Sequence, residues 1–224
     1  VVELPSEELP EADLSDAIPI EVVHEDEAHM VVNKPPGHTV LPTRDGSGRE
    51  FYNGLFLYLN PQWPEGERFV RPHVVHRLDR ETSGVLLVAK DTESGRGLSR
   101  QFERNNVHKT YLAIIDGCPP QEVFTVDLPL ARKRGSVLEM AVDFKKGKPS
   151  QTRVRILECL DRFSLIEAHP LTGRQHQIRV HAAAVGHPLA VDFLYGQRRA
   201  LTRRDVPVLD GTGVLLARCP LHAS

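Results

Sequence analysis

His76-Arg77-Leu78-Asp79-Arg80-Glu81-Thr82-Ser83-Gly84 runs without a break into Val85-Leu86-Leu87-Val88-Ala89. The first nine residues are mostly polar or charged. The last five are uninterrupted apolar, a short run that suits a strand buried on both faces. A charged loop therefore leads into a rigid strand.

Working upstream, the apolar positions Ile20, Val22 and Val23, then Met30, Val31 and Val32, flank the polar stretch 24–29 and predict two strands joined by a tight turn. Asn33-Lys34-Pro35-Pro36-Gly37 ends the second strand, because proline cannot continue a ladder. Residues 42–49 and 61–66 are expected as loops. Residues 51–59 have helical apolar spacing despite Gly54. Working downstream, Asp91 or Thr92 can cap a helix running through Arg104, and a strand is expected over 110–115. A hairpin follows over 152–160 and 163–168, turning at Asp161-Arg162. A helix is expected over 174–185, stopped by Gly186. Strands outnumber helices, and helices fall between pairs of strands, so the fold class is α+β with a mixed, largely antiparallel sheet.

The net charge of -2 conceals an asymmetry. Residues 1–29 carry ten acids and neither Lys nor Arg, which leaves 20 acids against 28 Lys and Arg in residues 30–224, a formal net of +8. Residues 1–17, acidic and poor in large apolar groups, are expected as a flexible leader, with one catalytic domain over 18–224. A basic body suits a polyanionic partner. Cys118, Cys159 and Cys219 show no C-x-x-C spacing, so neither a disulfide framework nor a zinc knuckle is expected, and a reducing compartment, the cytoplasm, fits. No stretch approaches the roughly 18 apolar residues of a membrane span, and the start lacks a signal-peptide layout. The absent initiator Met and the end at Leu221-His222-Ala223-Ser224 raise the expectation of a trimmed C-terminal end.

Asp79, flanked by Arg77 and Arg80, has the electrostatic surroundings of a nucleophile or base. On local sequence alone a surface ion-pair cluster is the favoured explanation. The histidines admit a metal site, either His176 and His181 with His187, or His76 with Asp79. His176 and His181 are five apart rather than the four of an H-E-x-x-H helix, which disfavours it.

The run HRLDRETSG at 76–84 resembles the signature of the RluA family of pseudouridine synthases. Four further segments are similar to that family in the same order: NKPPG at 33–37, KTYLAIIDG at 109–117, HPLTGRQHQIRVH at 169–181 and GHPLAVDFLYG at 186–196. The resemblance covers residues 18–222. It implies the pseudouridine synthase fold, a sheet flanked by helices and loops with an active-site cleft across it. It implies an isomerase that converts uridine in structured ribosomal or transfer RNA to pseudouridine, without metal or other cofactor and without a membrane, as a monomer.

By the same resemblance Asp79 is the catalytic aspartate, attacking either carbon 6 of uracil or the anomeric carbon of the sugar. Tyr111 matches the active-site tyrosine, whose ring stacks on the base and whose hydroxyl assists removal of the carbon 5 proton; without the resemblance it would read as a core aromatic. Arg179 matches the cation paired with the aspartate. Arg77 resembles the side chain that fills the stack once the uridine is flipped out, although a phosphate contact would also explain it. His76, Thr82, Lys34, Arg174 and Gln177 are implied as RNA- or base-binding residues, Lys34 as a supporting residue in the lysine-proline segment. Gln175 stands where many relatives have threonine. Arg44, Arg49, Arg71, Lys109, Arg132, Lys133 and Arg134 are expected as RNA backbone contacts. Two other readings predict different outcomes: a non-catalytic RNA-binding module, indifferent to loss of Asp79, and a metal-dependent hydrolase, sensitive to chelator.

Overall fold

The structure, a computed structural model, describes residues 14–43, 50–65, 69–206 and 213–224. The acidic leader lies outside the described residues through residue 13, as do Arg44 and Arg49; Leu14–Asp16 form a 3-10 turn. The chain divides into two compact units, residues 1–107 and 108–224.

In the first unit, β1 (Glu21–Glu25) and β2 (His29–Lys34) form the expected hairpin. Its turn is closed by Asp26, whose carboxylate accepts from the amides of Ala28 and His29 at 2.8 and 2.7 Å, as Asp does in tight turns. α1 (Glu50–Leu59) follows, then β3 (His73–Val74), β4 (Ser83–Ala89) and α2 (Thr92–Glu103). β4 pairs antiparallel with β2 and with β3, and Leu86, Val88 and Ala89 are wholly buried, the environment its apolar run requires. Gly54 within α1 is a packing requirement: a Cβ there would lie 2.2 Å from the Ile18 carbonyl oxygen. Asp91 caps α2 by accepting from the Ser94 amide at 2.8 Å.

The second unit holds β5 (Tyr111–Asp116), β6 (Val123–Asp127), β7 (Leu130–Arg132), β8 (Met140–Val142), β9 (Gln151–Leu160), β10 (Phe163–Pro170), α3 (Gln177–Ala184), β11 (Leu201–Thr202), β12 (Val214–Leu216) and β13 (Leu221–Ala223). Its main sheet runs in the order β13-β5-β10-β9-β6, every pairing antiparallel. β7 and β8 form a separate hairpin, and β11 pairs with β12. Ala113, Ile115, Val154, Ile166 and Ala168 on the sheet pack with Ile178, Leu189 and Leu221 into one core. The α+β class with a largely antiparallel sheet is borne out.

Three local differences have physical causes. α3 starts at Gln177, not 174, because His176 adopts a left-handed backbone at φ 55° and the Gln177 side chain accepts from the Arg174 amide, holding 174–176 out of the helix. The strands β6 to β8 and β11 to β13 have no counterpart in the sequence pattern, because runs of two to five residues are too short to show a period. Finally, Cys118 and Cys159 are disulfide-bonded with Cα atoms 5.7 Å apart, correcting the expectation that the cysteines stay unpaired. The bond joins positions 41 residues apart, which the β9–β10 hairpin and its pairing with β5 bring together; spacing along the chain carries no trace of it.

Candidate active site

Asp79 sits in the loop between β3 and β4, half-buried, where its carbonyl accepts from the Thr82 amide at 3.1 Å. That turn is stapled to the NKPPG loop. The Gly37 amide donates to the Arg80 carbonyl and Arg80 Nε donates to the Gly37 carbonyl, both at 2.8 Å. Beneath it lies Lys34, the last residue of β2 and wholly buried. Its ammonium donates to the carbonyls of Pro35 at 2.7 Å, His38 at 2.8 Å and Arg80 at 3.3 Å. Burial pushes Lys34 down to about 8, against the opposing pull of Glu81 and Asp79. One buried cation thus ties two loops by their backbones, and the residue after Asp79 is among its anchors.

His76 is stacked on Phe102 of α2, with ring centroids 4.4 Å apart and planes 15° from parallel, and its Nε2 accepts from the Leu87 amide at 2.9 Å. It fixes the start of the loop to β4. Leu78 is buried, whereas Arg77 and Arg80 on either side are exposed, so the loop presents guanidiniums outward while anchored by its leucine. Thr82 is 1% exposed, and its hydroxyl has no hydrogen-bond partner among the described residues, which costs about 1–3 kcal/mol for a buried polar group.

In the second unit, Arg179 on α3 is 4% exposed and makes a two-pronged contact with Asp192: Nε to Oδ2 at 2.7 Å and Nη2 to Oδ1 at 2.6 Å. Asp192 Oδ1 also accepts from the amides of Leu194 and Tyr195 at 2.9 and 3.1 Å. Burial pushes the Asp192 carboxyl up, but the Arg179 guanidinium and these amides outweigh it and leave it below the usual carboxylate range. The guanidinium carbon lies 5.1 Å from the centre of the Tyr195 ring, a cation–π contact. Tyr195 in turn accepts from the Met140 amide at 2.8 Å, and its hydroxyl meets His176 Nδ1 at 2.6 Å. Asp192 and Tyr195 were not singled out by the sequence reading, and His176 was weighed there only as a metal ligand. The signal lay in the 186–196 segment, whose acidic and aromatic members have no local pattern to mark them as partners of Arg179.

Tyr111 opens β5, half-buried, opposite Ala168 and Ala223, and packs against the core of its unit. Gln177 is 4% exposed, and its amide is filled within the protein. Oε1 accepts from Thr172 Oγ1 at 2.7 Å and the Arg174 amide at 3.0 Å; Nε2 donates to the Gln151 carbonyl at 2.9 Å and Thr152 Oγ1 at 3.0 Å. Arg174 donates through Nε to the Pro149 carbonyl at 3.2 Å. The histidines weighed for a metal are engaged elsewhere: His181 with Thr152 and the Leu128 carbonyl, His187 with the Asp116 carbonyl. Among the described residues, no group of three or more His, Cys, Asp or Glu side chains is arranged to hold a metal, and no helix is long and apolar enough to cross a membrane.

A family model described as RNA pseudouridylate synthase matches residues 28–184. The ribosomal large subunit pseudouridine synthase D of Zymomonas mobilis is 39% identical over 183 residues, 81% of this chain and 57% of that protein. The ribosomal large subunit pseudouridine synthase C of Vibrio cholerae is 42% identical over 179 residues, 80% of this chain and 53% of that protein. The chain spans somewhat over half the length of these curated relatives. Among solved structures, human RNA pseudouridylate synthase domain containing 1 is similar with a TM-score of 0.70 at 28% identity, covering 91% of this chain and 76% of that one. With the family model covering most of the sequence, and the Asp79 loop and the Arg179 helix both inside the matched span, the chain belongs to the RNA pseudouridylate synthase family.

Proposed function

We propose that this chain isomerises uridine in structured RNA to pseudouridine, with Asp79 as the nucleophile. The observation that carries the reading is the anchoring of the Asp79 turn: a carboxylate on a loop clamped by Lys34, Gly37 and Thr82 is preorganised, as a group that must attack one atom of a held base has to be. Attack at carbon 6 of uracil or at the anomeric carbon leads to the same net change. The nitrogen–carbon glycosidic bond breaks, the base turns, carbon 5 bonds to the sugar as the bond to Asp79 is released, carbon 5 gives up its proton and nitrogen 1 takes one up, so the product is an isomer of the substrate.

Tyr111 takes the stacking and proton-removing role, and Arg179 the role of the charge-compensating cation. Arg77, exposed beside Asp79, fills the stack left by the flipped uridine. Lys34, His76, Thr82 and Gln177 are positioning residues, because what they hold is the chain itself. The substrate is a ribosomal RNA, as the names of the relatives suggest, with transfer RNA as the second possibility. The chain acts as a monomer.

Asp79→Asn separates this reading from a non-catalytic RNA-binding module. Tritium release from carbon-5-labelled uridine RNA is expected to vanish while RNA affinity stays within a few-fold. Undiminished release would sink the assignment of Asp79.

A further inference from the structure

The two most exposed large apolar side chains among the described residues both belong to residues 130–148 of the second unit. Val137 is 82% exposed, near the tip of the β7–β8 hairpin, and Phe144 is 78% exposed, on the turn that follows β8. An aromatic ring left in water on a floppy loop would mean little. Phe144 is not on one.

Asp143 Oδ1 accepts from the amides of Lys145 and Lys146 at 2.8 and 3.0 Å, and the Gly147 amide closes the turn onto the Asp143 carbonyl at 2.8 Å. The turn is tied at both ends to the strand before it: the Asp143 amide donates to the Pro129 carbonyl, and Lys148 exchanges two backbone bonds with Leu130 at 2.9 and 3.0 Å. A Cβ at position 147 would lie 2.3 Å from the Asp143 carbonyl oxygen, so the turn closes this tightly only around glycine. Phe144 is therefore held out on a rigid support.

Its neighbours are cationic. Lys145, Lys146 and Lys148 are all exposed, and none joins an ion pair among the described residues. The nearby Asp143 carboxylate is spent on backbone amides, which with the two lysines hold it below the usual carboxylate range. At the hairpin tip, Arg132 donates to the Val137 carbonyl and Lys133 pairs with Glu139 at 2.7 Å, so that end is the more nearly neutralised.

A flat ring with free ammonium groups beside it is the pairing that single-stranded nucleic acid recognises, a base on the ring and phosphates on the cations. A folded protein partner would be expected to match Phe144 with an apolar pocket but has no reason to require three adjacent unpaired lysines. We infer that the 143–148 turn is an RNA contact in which an unpaired base of the substrate stacks on Phe144 while Lys145, Lys146 and Lys148 hold the flanking phosphates. This rests on the reading of the chain as an RNA enzyme and adds a strand-binding point that the Asp79 loop does not provide.

The test uses the whole chain with two probes, a single-stranded oligouridylate of about ten nucleotides and a duplex RNA of similar length. Phe144→Ala is expected to weaken single-strand binding roughly tenfold, the scale of one lost base–aromatic stack, with Phe144→Trp restoring it. Duplex binding should change less than twofold in both. Lys145→Gln combined with Lys146→Gln should weaken both probes and lower the dependence of log affinity on log salt by about 1.4 for the single strand.

Since Phe144 is exposed, thermal melting of Phe144→Ala should match the wild type. Unchanged single-strand affinity in Phe144→Ala overturns the inference, as does failure of the wild type to bind the oligouridylate. Tritium release from folded RNA then judges the synthase reading on its own.

Discussion

Arg179 and Asp192 form a two-pronged ion pair at 2.7 and 2.6 Å with both side chains sealed from solvent. A pair so buried draws its strength from having every lone pair occupied, and Asp192 has the Leu194 and Tyr195 amides to complete it. Removing one partner strands the other's charge. Asp192→Ala is expected to cost about 3–5 kcal/mol in urea unfolding, far more than an exposed pair. A loss under about 1 kcal/mol would mean that Arg179 has another buried anion able to replace Asp192.

Lys34 makes stability depend on alkaline pH. Its folded value, about 8, lies below the ordinary 10.5, so between these values the unfolded chain binds more protons than the folded one. Stability owed to this group therefore rises as pH climbs from 8 to 10.5, and falls back as pH drops through 8. The unfolding free energy of the wild type relative to Lys34→Met should grow by roughly 3 kcal/mol across that window. A difference that stays flat with pH would show that the three carbonyls hold the ammonium charged throughout.

His181 gives the opposite limb. Its Nε2 faces the Leu128 carbonyl, an acceptor only, so the ring proton sits there. Thr152 Oγ1 already accepts from Gln177, which leaves its own proton for Nδ1 at 2.9 Å. Burial lowers the folded value below 6.5, and it outweighs the Leu128 bond and Asp127, which act to raise it. The stabilisation is therefore present above about pH 6.5 and lost as pH falls below it. Relative to His181→Gln, wild-type stability should decline between about pH 7 and pH 5, as followed by chemical denaturation. A constant gap would rule out titration of this imidazole.

Gly54→Ala sets helix propensity against packing. Alanine gains about 1 kcal/mol over glycine inside a helix. Its Cβ would stand 2.2 Å from the Ile18 carbonyl and 3.0 Å from Ile20 Cδ1, and backbone shifts of that kind cost about 1–3 kcal/mol. The net expectation is a lower melting temperature. A rise would mean that the segment before β1 yields without cost.

The chain's local chemistry is legible in its sequence. The apolar run 85–89 announced β4, Asp91 announced the start of α2, Asp161-Arg162 the turn of the β9–β10 hairpin and Gly186 the stop after α3, because each acts through neighbours within a few residues. The motif residues Asp79, Tyr111 and Arg179 were likewise visible as letters in order. Their partners were not. That Lys34 reaches the Arg80 carbonyl 46 positions away, that Arg179 is clasped by Asp192, that Gln177 spends its whole amide inside the protein, and that Cys118 meets Cys159 are consequences of strand register and helix placement. Register follows from packing summed over whole sheets, so no local pattern can encode which distant carbonyl or carboxylate ends up within 3 Å of a given donor.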